Sequence, residues 1–209
     1  SHYTPAKLPG LKVTRLHMAI LPVVTYDDPV LRKLAEPVAP DHPGLGAFID
    51  DLFETMYEAN GVGLAAPQVG VSLKLFVVDA DAITEDEGEE AFGPGVFINP
   101  EIEVVDAEKW DAEEGCLSLP EIREKVARPE TIRIRYQDRD FNTHEEVHGG
   151  WYARVLQHEY DHLHGVLFID YLGAFRKRLI RKKLEEIRLG KAQAEYQLAP
   201  KGVVTGEKE

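Results

Sequence analysis

The segment Trp151-Tyr152-Ala153-Arg154-Val155-Leu156-Gln157-His158-Glu159-Tyr160-Asp161-His162-Leu163-His164-Gly165 decides how the rest of the chain is read. It follows Gly149-Gly150 and closes on His164-Gly165, punctuation that suits the two ends of a helix. Residues four apart on a helix lie one above the other, so His158 and His162 project from one face. Two imidazoles at that spacing can hold one metal ion, and a glutamate beside the first can reach a water on it. The same pattern also arises by accident on a surface helix, in a chain with 8 histidines and 37 acidic residues. What supplies the remaining ligand decides between the two, because a catalytic site of this kind usually has three protein ligands and one open position.

The 209 residues suffice for one domain with a sizeable core. Hydrophobic content of 44% and charged content of 29% are those of a soluble globular protein. No apolar run approaches the roughly 18 residues of a membrane span, and the N-terminus lacks the charged-then-apolar layout of a secretory signal. Residues 1–17 are polar and aperiodic, while Met18 begins a natural start, so they are set aside as an extension or expression remnant. The single cysteine, Cys116, excludes an internal disulfide and fits a reducing, cytoplasmic setting. A net charge of −13 argues against a DNA or general nucleic-acid binder, since the whole-molecule field repels phosphate. Against that sign, Arg176 to Lys183 carries six cations in eight residues.

Asp28-Pro29 opens a short helix within Thr25–Ala35, with an aspartate cap and a proline at the first position. Leu45, Phe48, Ile49, Leu52, Phe53 and Met56 share the buried face of a second helix, which Asn60-Gly61 ends. The stretch from Gly61 to Gly70 has little side chain to pack. It is either a plain connector or a loop kept bare so that a ligand or another strand can approach its backbone. Gln68 is its one polar side chain. Val71 to Asp79 reads as a buried strand, and Asp79 to Glu90 as a mobile acidic surface loop without the spacing of a calcium site. Strands follow at 96–100, 102–105 and 131–137, the last alternating cleanly, with another ending at Val147. A final amphipathic helix starts at Ala174. The order of helices, strands and helices predicts an α+β fold with predominantly antiparallel sheets around the histidine helix.

The remaining ligand is sought in Glu113-Glu114-Gly115-Cys116-Leu117-Ser118-Leu119-Pro120, whose glycine and proline are expected to break any long strand. A thiolate suits zinc or ferrous iron. One thiolate, two neutral imidazoles and a divalent ion sum to about +1, enough to acidify water and polarise a carbonyl.

Three motifs now stand in order: Gly61-Val62-Gly63-Leu64-Ala65-Ala66-Pro67-Gln68, then Glu114-Gly115-Cys116-Leu117-Ser118, then His158-Glu159-Tyr160-Asp161-His162. Together they resemble the signature motifs of the peptide deformylase family, over about residues 20–189. The C-terminal helix is similar to that of the bacterial subtype ending in a helix. The chain is accordingly divided into a catalytic domain at 18–173, a C-terminal helix at 174–198 from its amphipathic spacing, and a disordered tail at 199–209 from its polar residues. The resemblance implies removal of the formyl group from the N-terminal formylmethionine of newly made proteins, with Fe(II) as the usual metal and Zn, Ni or Co as substitutes. On that footing Cys116, His158 and His162 hold the metal, whose water attacks the formyl carbon. Glu159 moves the proton, and the Gln68 amide and Leu117 backbone N–H stabilise the oxyanion. Substrate would lie along Gly61, Val62, Gly63, Glu114 and Gly115, with Arg123 near the peptide. The methionine pocket would map to Val62, Trp151, Arg154, Val155 and His158. Arg154 is not the apolar residue expected there; either its stem alone lines the pocket or the preference is altered. The family's C-terminal helix docks on the ribosome, which suits the basic stretch at 176–183, although a solvated face is the simpler reading.

Two rival readings remain. A zinc peptidase would use Glu185 as third ligand and leave Cys116 unused. A non-catalytic relative would only bind nascent chains or the ribosome, and the intact Gln68, Cys116, His158, Glu159 and His162 argue against it. His144, His148 and His164 are read as structural.

Overall fold

The computed structural model describes residues 19–201. The expectations for residues 1–17 and for most of the 199–209 tail lie outside that range.

Helix α1 (Leu45–Glu58) buries Leu45, Ile49, Leu52 and Met56, the face its spacing predicts. The strands are β1 (Gly63–Ala65), β2 (Leu75–Val78), β3 (Gly95–Cys116), β4 (Leu119–Gln137) and β5 (Thr143–His148). They form one sheet in chain order, every neighbour antiparallel. Helix α3 (Gly150–Leu163) carries the two histidines. Its Ala153, Val155, Leu156 and Leu163 pack against Phe76, Val78, Phe97, Ile132 and Ile134 of the sheet, so the metal-binding pattern is set in the core. The α+β architecture expected from the element order is the one formed. Among the described residues no helix is long and apolar enough to cross a membrane.

Five expectations need correction. Gly115 and Pro120 do not break the strands: β3 and β4 run for 22 and 19 residues as one hairpin turning at Leu117-Ser118, with Pro120 second in β4. The register shifts between Ile98 and Glu101, between Asp106 and Lys109, and at Gly115-Cys116, and Pro100, Pro129 and Gly115 fall at these irregularities. Bulges thus absorb residues that an unbroken ladder rejects. The bare Gly61–Gly70 stretch is no plain connector: another strand does approach its backbone, but Gly63–Ala65 is itself an edge strand, paired with Phe76–Val78, and not a loop. The acidic run at 79–90 contains a helix, α2 (Asp81–Asp86). Asp81 accepts bonds from the Phe92 and Gly93 N–H groups, and Glu89 accepts one from Trp151 N–H at 3.0 Å, capping the start of α3 with a negative charge.

The fourth concerns the C-terminus. Helix α4 (Ala174–Arg188) is shorter than the expected 174–198 and stops where Gly190 adopts a left-handed φ of 70°. Its Ile180 and Ile187 bury against Leu119, Ile122 and Val126 of β4. The chain then returns to the N-terminal side, where Leu198 pairs with Val23 in a parallel bridge and Ala199 N–H donates to Val23 C=O at 2.7 Å. The opening helix expected within Thr25–Ala35 is a single 3-10 turn, Pro29–Arg32, capped by Asp28 as its sequence predicts.

Candidate metal centre

Cys116 enters the site from the tip of the β3–β4 hairpin, and His158 and His162 enter from successive turns of α3. Their ligand atoms lie within 4.8 Å of one another, with Cys116 Sγ 3.3 Å from His162 Nε2. Among the described residues this is the group able to hold a metal. A soft thiolate with two imidazoles matches the donor set of zinc or ferrous iron. Buried His162 Nδ1 has no protein partner, whereas His158 Nδ1 lies 3.0 Å from Glu114 Oε2. That contact fixes the His158 ring with its other nitrogen free for the metal.

Glu114, expected beside the substrate, lines the cleft and also holds the site together from within. Its carboxylate is buried and fully engaged. Arg128 clamps it through two bonds of 2.6 and 2.9 Å, Arg154 Nη1 adds a third at 2.7 Å, and His158 completes the set. Burial would raise its pKa, but His158 and Arg128 hold it far below the usual carboxylate range. Arg128 also donates to Asp161, the residue before His162, at 2.9 Å. One buried ion network therefore holds the hairpin to both sides of the histidine pair.

Arg154 belongs to that network. Its guanidinium donates to Glu114, to Val126 C=O at 2.9 Å and to Trp110 C=O at 2.6 Å, and stacks over the Trp110 ring at 4.2 Å. The charged end therefore points into the protein and the stem is left to line the cleft.

Glu159 is buried, and its Oε2 has no protein partner. Burial pushes its pKa up to about 7, which poises the carboxyl for proton transfer at neutral pH. It lies directly over Gly63: a Cβ there would sit 2.4 Å from Glu159 Oε1 and 2.8 Å from its Cγ. The close approach requires glycine. Gln68, also buried, accepts a bond from Ala65 N–H at 2.9 Å, which turns its NH2 towards Cys116 Sγ at 3.4 Å and Ser118 Oγ at 3.3 Å.

These groups open onto a cleft of about 520 Å³. Asn60–Gly63 line one side and Glu113–Leu117 the other, with Trp151, Arg154, Val155, His158 and Glu159 contributed by α3. Arg123 lines it too, paired with Glu113 at 2.7 Å and lying over Gly115.

The family model for polypeptide deformylase matches residues 20–178. The chain belongs to the peptide deformylase family. A peptide deformylase of Salinibacter ruber is 51% identical over 186 residues, which is 87% of this chain and 95% of that protein. The crystal structure of a peptide deformylase from Legionella pneumophila superposes with a TM-score of 0.72 at 41% identity, covering 84% of this chain and 99% of that one. A class I type b peptide deformylase from Acinetobacter baumannii with Met-Ala-Ser bound gives 0.69 at 35% identity, covering 74% and 99%. This deformylase is accordingly a metal-binding hydrolase that removes N-formyl groups.

The peptidase alternative does not survive the geometry. Glu185 is half exposed, bonded to Arg188 at 2.6 Å and outside the ligand group. His144, His148 and His164 bond Asp138, Glu146 and Tyr160 C=O respectively, away from the metal ligands. The sequence did not single out Arg128, whose alternation on β4 placed it inward, nor Ile83, from the segment read as a surface loop, nor Tyr196, from the end of the expected C-terminal helix; the last two line the cleft.

Proposed function

We propose that this deformylase acts on the N-terminal formylmethionine of newly made proteins. The observation that carries this reading is the burial of Glu159 between the Cys116-His158-His162 group and the Gly63 backbone, at the edge of the sheet. Because β1 is an edge strand, the sheet leaves one row of its backbone groups unpaired. An extended peptide can add there as a further strand along Gly61–Gly63, with Gly115 and Arg123 across the cleft. The bound Met-Ala-Ser of the Acinetobacter baumannii relative supports a substrate of that length and kind. Its methionine side chain would enter between Val62, Trp151, Val155 and the aliphatic stem of Arg154.

The donor set fits a divalent metal, and we assign Fe(II), with Zn, Ni or Co able to substitute. What such an ion supplies when held by Cys116, His158 and His162 is Lewis acidity towards water and a carbonyl oxygen. The remaining work belongs to this chain's residues. Glu159 takes the proton of the attacking water and passes it to the departing amine. The Gln68 amide and the Leu117 backbone N–H donate to the oxyanion, each well-aimed donor being worth about 3 kcal/mol. The cation-rich, exposed face of α4, with Lys177, Arg178, Arg181 and Lys182, is assigned to ribosomal RNA in a bacterial cytoplasm.

The test is deformylation of formyl-Met-Ala-Ser by apo protein reconstituted with Fe(II), Ni(II) or Zn(II) in turn. Release of formate is expected with at least Fe(II), and no release with any metal overturns the assignment.

A further inference from the structure

Residues 191–201 lie beyond the stretch that the family model matches, yet they return from α4 to the catalytic side of the molecule. Three anchors hold them. Gln197 C=O accepts from Val23 N–H at 2.9 Å, Ala199 N–H donates to Val23 C=O, and Lys201 bonds Thr25 and Asp27. Ala192 and Ala199 cover the apolar cluster beneath α4. Covering that cluster accounts for the anchors but not for Tyr196, which lines the cleft shared by Gly61, Cys116 and Glu159. Its phenol donates to Leu117 C=O at 2.7 Å.

Leu117 is half of the two-residue turn that carries Cys116 towards the histidines. The next carbonyl of that turn, Ser118 C=O, is held by Tyr26 N–H at 2.9 Å. Both carbonyls at the hairpin tip are therefore tethered from outside the hairpin, one by the chain's N-terminal region and one by its C-terminal region. The two tethers fix the peptide planes that follow the Leu117 Cα; the Leu117 N–H lies in the plane before it, and with the Cys116–Leu119 pair closing the turn that plane keeps only rotation about the Leu117 backbone. An untethered turn would rock about the Leu117 backbone and let that donor wander. Preorganised donors are effective because no reorganisation is needed as charge develops.

We infer that residues 191–201 form a strap across the deformylase site and that Tyr196 is a positioning residue. Its hydroxyl holds the peptide plane after Leu117, so that the turn presenting the Leu117 N–H to the oxyanion keeps one conformation, and its ring completes the cleft wall. The inference rests on the oxyanion role given above to Gln68 and Leu117.

Full-length, Fe(II)-loaded protein is assayed on formyl-Met-Ala-Ser as wild type, Tyr196→Phe, Tyr196→Ala and Gln68→Ala, with metal content and thermal midpoint measured for each. Tyr196→Phe keeps the ring and removes the tether. It should lower kcat about 10-fold, since an ångström of misplacement costs up to about 100-fold, and leave KM, metal content and midpoint at wild-type values. Tyr196→Ala should show the same loss in kcat and a raised KM. If Tyr196→Phe keeps kcat within twofold of wild type while Gln68→Ala loses activity, the strap inference falls and the oxyanion assignment stands. If neither substitution lowers kcat, both fall. A loss in Tyr196→Phe that vanishes when activity is expressed per bound metal also overturns the positioning role, because the tyrosine then serves only to hold the fold.

Discussion

Substitution of Gly63 by alanine isolates the placement of the general base from every other property of the site. Gly63 lies in extended backbone on β1 and pairs with Val78, so alanine is compatible with its conformation. The added methyl, however, would stand 2.4 Å from Glu159 Oε1, 2.7 Å from Cδ and 2.8 Å from Cγ. Ordinary contact begins near 3.4 Å, so the carboxylate must retreat by about 1 Å. A displacement of that size costs about 100-fold in rate, equivalent to about 2.7 kcal/mol of barrier. Glu159 is not a metal ligand, so Gly63→Ala should bind one metal per chain like the wild type. Steady-state kinetics on formyl-Met-Ala-Ser, with metal analysis on the same sample, reads both quantities. The loss should fall on kcat. A variant with kcat within threefold of wild type, or one impaired in KM alone, refutes the argument that Glu159 needs the bare backbone beneath it.

Cys116→Ala should lose tight metal binding and activity together, whereas Glu185→Ala should keep both, as metal analysis after dialysis will show. Arg154→Ala removes one partner of a buried carboxylate and the bonds to two main-chain carbonyls, which should destabilise the fold by about 3 kcal/mol in urea unfolding. Asp27 is partly buried, which would raise its pKa, but Lys201 and Thr25 outweigh that and hold it below the ordinary 3.8. A depressed carboxylate contributes stability in full above its unfolded value, and the contribution is lost as pH falls through the folded one. The difference in urea midpoint between wild type and Asp27→Asn should therefore be constant at neutral pH and close only below pH 3.8. Reversal of Arg178, Arg181 and Lys182 to glutamate should abolish salt-sensitive cosedimentation with ribosomes without loss of deformylase activity, and leaves intact the apolar face of α4 that a truncation would remove.

The histidine helix was legible because its chemistry requires fixed residue types at a spacing that only a helix satisfies. Cys116 could be chosen as the thiolate for a similar reason, since the chain has no other. The hairpin that delivers it was not legible: Pro100, Gly115 and Pro129 argue locally against a strand, and only the partner's register reveals that each lies at a bulge. The ion network of Glu114 was not legible because its partners lie 14, 40 and 44 residues away, and a motif carries no information on contacts at that range. Glu89 looked like one acid among many until α3 placed an N-terminus beside it. Tyr196 sits in a short polar stretch without periodicity, and its meaning comes from a single bond to a carbonyl 79 residues earlier.

Cys116 and His162 stand 46 positions apart, and an ion bound between their side chains closes the intervening chain into a ring. Such an ion is a reversible cross-link between the tip of a long hairpin and the central helix, in a chain that has no disulfide to serve the purpose. At a free concentration one hundred times its dissociation constant it adds about 2.7 kcal/mol to the folded state. Resistance to unfolding thus becomes a gauge of metal supply. Oxidation of one sulfur atom would then remove a metal ligand and open the clasp in the same event.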